Sequence, residues 1–192
     1  MPDDWWTRLK AGWWPEDRIQ PTEARRRYYQ AKRKVVERIW PSFIAEIGVR
    51  AGYSAWAMLD AAPEGCRYLG IDADRGTHGG DPGAFQHAEQ ILAPWSPELV
   101  TGDSHDLDRL PGSIDLLHID GDHSYEGCLS DLRLAERSGA RWVLVDDWDN
   151  IRDVRNAVVR FSGRVDTPPE IIHDGHRGMA LIPLNADAFM RT

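Results

Sequence analysis

The chain has 192 residues, with 31 Asp and Glu against 23 Lys and Arg and a net charge of −8. That length suits one domain with a terminal extension and a sizeable core, and 42% hydrophobic with 28% charged residues excludes a disordered chain or a fibre. No apolar run approaches the ~20 residues of a membrane span, no signal-peptide pattern opens the chain, and Cys66 and Cys128 are too few for a disulfide framework or a Cys-rich zinc site. A cytoplasmic protein without a membrane partner is expected.

Charge divides the chain. Residues 1–40 hold ten Lys and Arg and six Asp and Glu, which leaves 13 basic against 25 acidic residues in 41–192. An acidic body argues against a nucleic-acid partner, because duplex binding rests on clustered cations neutralising phosphates. Two units are expected: an aromatic and basic helical extension over 1–40, and a main domain over 41–192.

In chain order, Trp5, Trp6, Trp13 and Trp14 come first. Four such rings are costly to leave in water, so this segment should pack on its own domain, on a partner subunit or on a substrate, serving as a lid or at a homodimer interface. From Thr22 to Trp40 the period is helical, with Tyr28, Tyr29, Lys32, Val35, Val36, Ile39 and Trp40 on one stripe and Arg25, Arg26, Arg27, Arg33 and Lys34 largely outside it. Strands are predicted over 43–47, 67–71, 97–100, 113–119 and 141–145. Helical segments over 54–62, 83–92, about 124–137 and 151–161 alternate with them, and a hairpin over 170–182 closes the pattern. The fold class is therefore α/β: a Rossmann-like, seven-stranded, mostly parallel sheet with helices on both faces and a C-terminal antiparallel hairpin.

Ligands of such sheets bind beyond the carboxyl ends of the strands. After the first strand come Glu46, Gly48, Gly52, Tyr53 and Ser54; the glycines admit close backbone approach, and the next helix offers free N–H groups to a carboxylate. Their G-x-x-x-G spacing differs from the dinucleotide fingerprint. Asp72 ends the second strand, where an acid can accept from ribose hydroxyls. Asp103, Ser104 and His105 follow the third.

This combination resembles the class I S-adenosylmethionine-dependent methyltransferases over about residues 41–183. The resemblance implies S-adenosyl-L-methionine as cofactor, with Asp120 also beside it and His105 with Ser104 near the adenine.

The fourth strand ends in Asp120-Gly121-Asp122-His123 and the fifth in Asp146-Asp147. Adjacent parallel strands lie about 4.8 Å apart, so Asp120, Asp146 and Asp147 should converge. Three carboxylates in one cleft require a cation, and an all-oxygen set suits Mg²⁺, with Mn²⁺ or Ca²⁺ as alternatives. The other reading leaves Asp122 or Ser124 as a helix cap and Asp147 in solvent. The arrangement resembles metal-dependent O-methyltransferases of the catechol and macrolide-sugar type, which implies a small-molecule hydroxyl acceptor. His123 stands where catechol enzymes commonly carry lysine and sugar enzymes can carry a histidine base; a capping loop histidine is the alternative. His118 reads as a core or interface residue, and His173 and His176 flank the hairpin turn. Rival readings are a non-catalytic module that binds the cofactor, and a hydroxylase-associated component resembling cephalosporin hydroxylase proteins.

Overall fold

The computed structural model describes residues 4–73 and 83–184; residues 1–3, 74–82 and 185–192 lie outside that description. Seven strands form one sheet in the order β3-β2-β1-β4-β5-β7-β6. These are β1 (Phe43–Ile47), β2 (Arg67–Asp72), β3 (Glu98–Thr101), β4 (Leu116–Ile119), β5 (Trp142–Asp146), β6 (Glu170–Ile172) and β7 (Met179–Pro183). The first five run parallel; β7 pairs antiparallel with both β5 and β6. Strand order reverses at β1, so the crevice beyond β1 and β4 is the place the topology offers a ligand.

Six helices cover the sheet: α1 (Trp5–Ala11), α2 (Glu23–Ile39), α3 (Tyr53–Ala61), α4 (Ala84–Leu92), α5 (Tyr125–Arg137) and α6 (Arg152–Val165). Side chains alternate across the central strands, giving two cores. Leu144 and Leu181 join Val36, Met58 and the arm aromatics on one face, while Val143 and Ile182 join Leu132, Val158 and Phe161 on the other.

The arm is part of the first core. Asp4 caps α1 by accepting from the Thr7 N–H, and Thr22 caps α2 by accepting from that of Arg25. Trp5 and Trp6 bury themselves against their own chain, and Trp13 and Trp14 pack at its edge. Each buried aromatic contributes about 1.5–3 kcal/mol. Of the expected places for the arm, its own domain receives it. Two stripe expectations differ. Arg33 is buried, pairing with Asp60, whereas Trp40 is 65% exposed. The helix ends at Ile39, and Trp40 takes a left-handed conformation, φ 54°, just before Pro41.

Candidate active site

The loop after β1 crosses directly over the loop after β4. Gly48 has φ 88°, and a Cβ there would run into the Asp120 carbonyl. The need for glycine thus arises from chain crossing as well as from ligand approach. Asp72 Oδ2 accepts from the Arg50 N–H at 2.7 Å, tying the ends of β1 and β2 together. Asp103 Oδ1 accepts from the His105 N–H at 3.0 Å and so starts the short turn 104–106. These residues share one edge of the sheet, as the cofactor reading requires.

Other expected cofactor residues point inward. The Ser104 hydroxyl donates to Asp131 Oδ1 at 2.7 Å. Tyr53 is buried beneath Trp13, the rings stacked at 3.9 Å, and its hydroxyl donates to Asp17 at 2.9 Å. Asp17 also takes two bonds from the Arg50 guanidinium. The arm thereby closes on the rim of the glycine loop. Ser54 is likewise buried in α3. Glu46 is 1% exposed: it accepts from the Tyr68 hydroxyl and meets His118 Nδ1 at 2.9 Å. Both Glu46 carboxylate oxygens are thus engaged inside the sheet.

Beyond β4 and β5, Asp120, His123 and Asp147 each place one ligand atom within 4.8 Å of the others. His123 Nε2 lies 3.1 Å from Asp120 Oδ1 and 3.3 Å from Asp147 Oδ2. Asp147 joins them because its φ of 62° turns the chain just after β5. A fourth member was not anticipated: Arg177 Nη1 is 3.1 Å from Asp147 Oδ2 and 3.8 Å from Asp120 Oδ1. Burial and the neighbouring Asp120 push the Asp147 carboxyl up to about 6. The bond to Asp120 raises His123 above its ordinary value. Two acids facing an imidazole and a guanidinium form a compact cluster of opposite charges.

Asp146, expected beside Asp147 as a ligand, is held elsewhere. As a strand residue next to Asp147 it faces the α2 side of the sheet. There Oδ2 accepts from Lys32 Nζ at 2.5 Å and from the Tyr28 hydroxyl, and lies 3.3 Å from His118 Nε2. Lys32 Nζ also lies 2.6 Å from His118 Nε2, so a chain of buried polar groups joins Glu46, His118, Lys32 and Asp146. Burial alone would raise the Asp146 carboxyl, but Lys32 and His118 hold it ionised and well below the carboxylate range. Its second oxygen, Oδ1, is buried and has no hydrogen-bond partner among the described residues. His118 is indeed a core residue. His173 Nδ1 meets Asp149 Oδ2 at 2.9 Å, two residues past Asp147.

A seven-stranded sheet of this order, with a glycine loop after β1 and acids after β2 and β4, defines the class I methyltransferase fold. A family model described as a methyltransferase domain matches residues 45–148, more than half of the chain, and the protein belongs to that family of S-adenosylmethionine-dependent methyltransferases. No curated protein matches. Among solved structures, the O-methyltransferase TomG from Streptomyces achromogenes, in complex with S-adenosylmethionine, is 17% identical with a TM-score of 0.62, covering 97% of this chain and 92% of that one. An O-methyltransferase from Bacillus cereus, in complex with S-adenosylhomocysteine, is 14% identical at TM-score 0.63, covering 95% and 92%. The S-adenosylhomocysteine-bound methyltransferase PaMTH1 from Podospora anserina is 14% identical at 0.64, covering 96% and 89%. At such identities the likeness is one of fold.

Proposed function

We propose that this methyltransferase transfers its methyl group to a hydroxyl of a small molecule, with a divalent ion beside the reacting oxygen and His123 as general base. The carrying observation is the meeting of Asp120, His123 and Asp147 within 4.8 Å at the strand ends. The donor chemistry fits Mg²⁺ or Mn²⁺: Asp120 and Asp147 offer hard carboxylate oxygens at neighbouring strand ends. When bound, such an ion acidifies a hydroxyl and orients it.

The chain's own residues do the remaining work. His123 Nε2 takes the hydroxyl proton, and the Asp120 and Asp147 carboxylates at 3.1 and 3.3 Å stabilise the imidazolium that results. The freed oxygen attacks the sulfonium methyl in line. A C–O bond forms as the C–S bond breaks, and S-adenosylhomocysteine leaves with the electron pair. Gly48, Asp72 and the 103–105 turn hold the donor against the acceptor, and such positioning of two reactants supplies much of the barrier reduction.

Incubating the protein with labelled S-adenosylmethionine and matched hydroxyl and amine acceptors, with Mg²⁺ or EDTA, tests this reading. Label should pass to hydroxyls only, and EDTA should stop it. Transfer to amines, or full activity in EDTA, would overturn the acceptor class or the role of the ion respectively.

A further inference from the structure

A groove of about 650 Å³ runs between α2 and the edge strand β6. Val35 is buried and Ala31 and Ile172 half-buried, so its floor is apolar; the exposed Arg26, Arg27 and Lys34 stand along its rim. Three acids also line it; each makes polar contacts, although Asp174 Oδ2 is buried without a hydrogen-bond partner among the described residues. Glu170 takes two bonds at 2.9 Å from Arg38, Glu23 lies 3.7 Å from Arg26, and Asp174 Oδ1 accepts from the N–H groups of His176, Arg177 and Gly178. Arg27 and Lys34 make no ion pair among the described residues. Seven residues apart, they sit two turns along one face, about 10 Å from each other.

The turn that closes one end of this groove through His173 and Asp174 also carries Arg177, a member of the acidic cluster. Arg27 precedes Tyr28, whose hydroxyl donates to Asp146. Asp174 pins the turn from which Arg177 reaches Asp147 at 3.1 Å, and His173 bonds Asp149. An elongated ligand with its hydroxyl at His123 would have its far end between α2 and β6.

We propose that the groove receives the tail of the methyl acceptor: an apolar stretch ending in a phosphate or carboxylate held by Arg27 and Lys34. The volume is that of a small-ligand site, and an arginine fork beside a lysine suits an oxyanion through charge-assisted bonds. The proposal rests on the O-methyltransferase reading for the place of the hydroxyl, though binding of the tail can be measured without turnover.

The test uses the full chain saturated with S-adenosylhomocysteine, titrated calorimetrically with octyl phosphate, octanoate and octanol, three tails of one length. One anion or both should bind at least about tenfold more tightly than octanol, since two charge-assisted contacts are each worth roughly 1.5–3 kcal/mol. Which anion binds better distinguishes phosphate from carboxylate. The double variant Arg27→Ala/Lys34→Ala should lose that preference while its thermal midpoint stays put, both side chains being exposed. Equal binding of octanol, or undiminished anion binding by the double variant, would overturn the proposal. Anion binding in a protein that methylates no hydroxyl would instead remove the catalytic reading and leave the groove an anion site.

Discussion

Lys32 Nζ lies 2.5 Å from Asp146 Oδ2 with both side chains wholly buried. Removing charge from water is expensive, and such a pair survives because each partner is also hydrogen-bonded: Tyr28 donates to the acid and His118 stands against the amine. The arm is therefore bolted to the sheet by electrostatics as well as by tryptophan packing. Lys32→Met strips Asp146 of its closest cation, leaving only His118 and Tyr28 against it, and should cost up to about 3–5 kcal/mol, a large part of a domain's ~5–15 kcal/mol. Asp146→Asn in the same chain should recover much of that loss. Urea unfolding of the two variants decides it; an additive double variant would show the pair to be uncoupled.

A second buried acid gives a pH signature. Burial pushes the Asp131 carboxyl up to about 6, against the bond from Ser104. The unfolded carboxyl titrates near ~3.9, so between about pH 4 and 6 the native state binds the extra proton. Stability must then fall as pH rises through that window and level off above it. Asp147, also raised to about 6, adds a slope of the same sign. Asp131→Asn cannot ionise, so its stability should fall less steeply over the window than that of the wild type. Thermal midpoints measured across it provide the check, and identical slopes would mean that Asp131 does not titrate there.

Much of this arrangement was legible from periodicity and strand ends. Alternation of apolar strands with helices fixed the sheet class, and the acids after β2, β4 and β5 marked its functional edge. Legibility ended where a side chain's direction depends on tertiary packing. Asp146 and Asp147 look equivalent in sequence, yet strand alternation sends one into the α2 interface, while a left-handed turn brings the other to His123. A visible sign was Lys32 within an apolar stripe, since a buried lysine demands a buried acid. Arg177 gave no such sign, because its approach to Asp147 depends on the turn that Asp174 caps. The Trp-rich segment announced that it must pack, but not which of its own domain, a partner subunit or a substrate would receive it.

Two glycines near the cofactor edge should behave oppositely. At Gly48, φ 88° and the nearby Asp120 carbonyl both resist a Cβ, so Gly48→Ala should displace Asp120, weaken S-adenosylhomocysteine binding and lower the thermal midpoint together. Gly102 has open space where a Cβ would project, and Gly102→Ala should keep its midpoint and its affinity. Calorimetric titration of both variants tests the contrast. Normal binding by Gly48→Ala would mean that the two loops separate without consequence for the cofactor.

The chemistry at His123 makes the sharpest demand. The Asp120 hydrogen bond raises this imidazole above its ordinary value near ~6.5, so without a bound ion the neutral base form fills at higher pH than in a free imidazole. Turnover should then rise with pH through the neutral range and level off once the imidazole is deprotonated. Asp120→Asn removes the carboxylate that supports the proton, so its profile should shift to lower pH even as its maximum falls. His123→Ala should lose roughly 10²–10⁴-fold in kcat, the range for a missing general base, and should keep its affinity for S-adenosylhomocysteine. Asp147→Asn, inside the cluster, should blunt activation by added Mg²⁺ more than Asp146→Asn does. Asp146 is already committed through Oδ2 to Lys32 and Tyr28. Rate against pH, measured with saturating Mg²⁺ and again in EDTA, separates these effects. An unshifted profile in Asp120→Asn would detach the carboxylate from the base, and wild-type turnover in His123→Ala would reduce the histidine to a loop residue before α5.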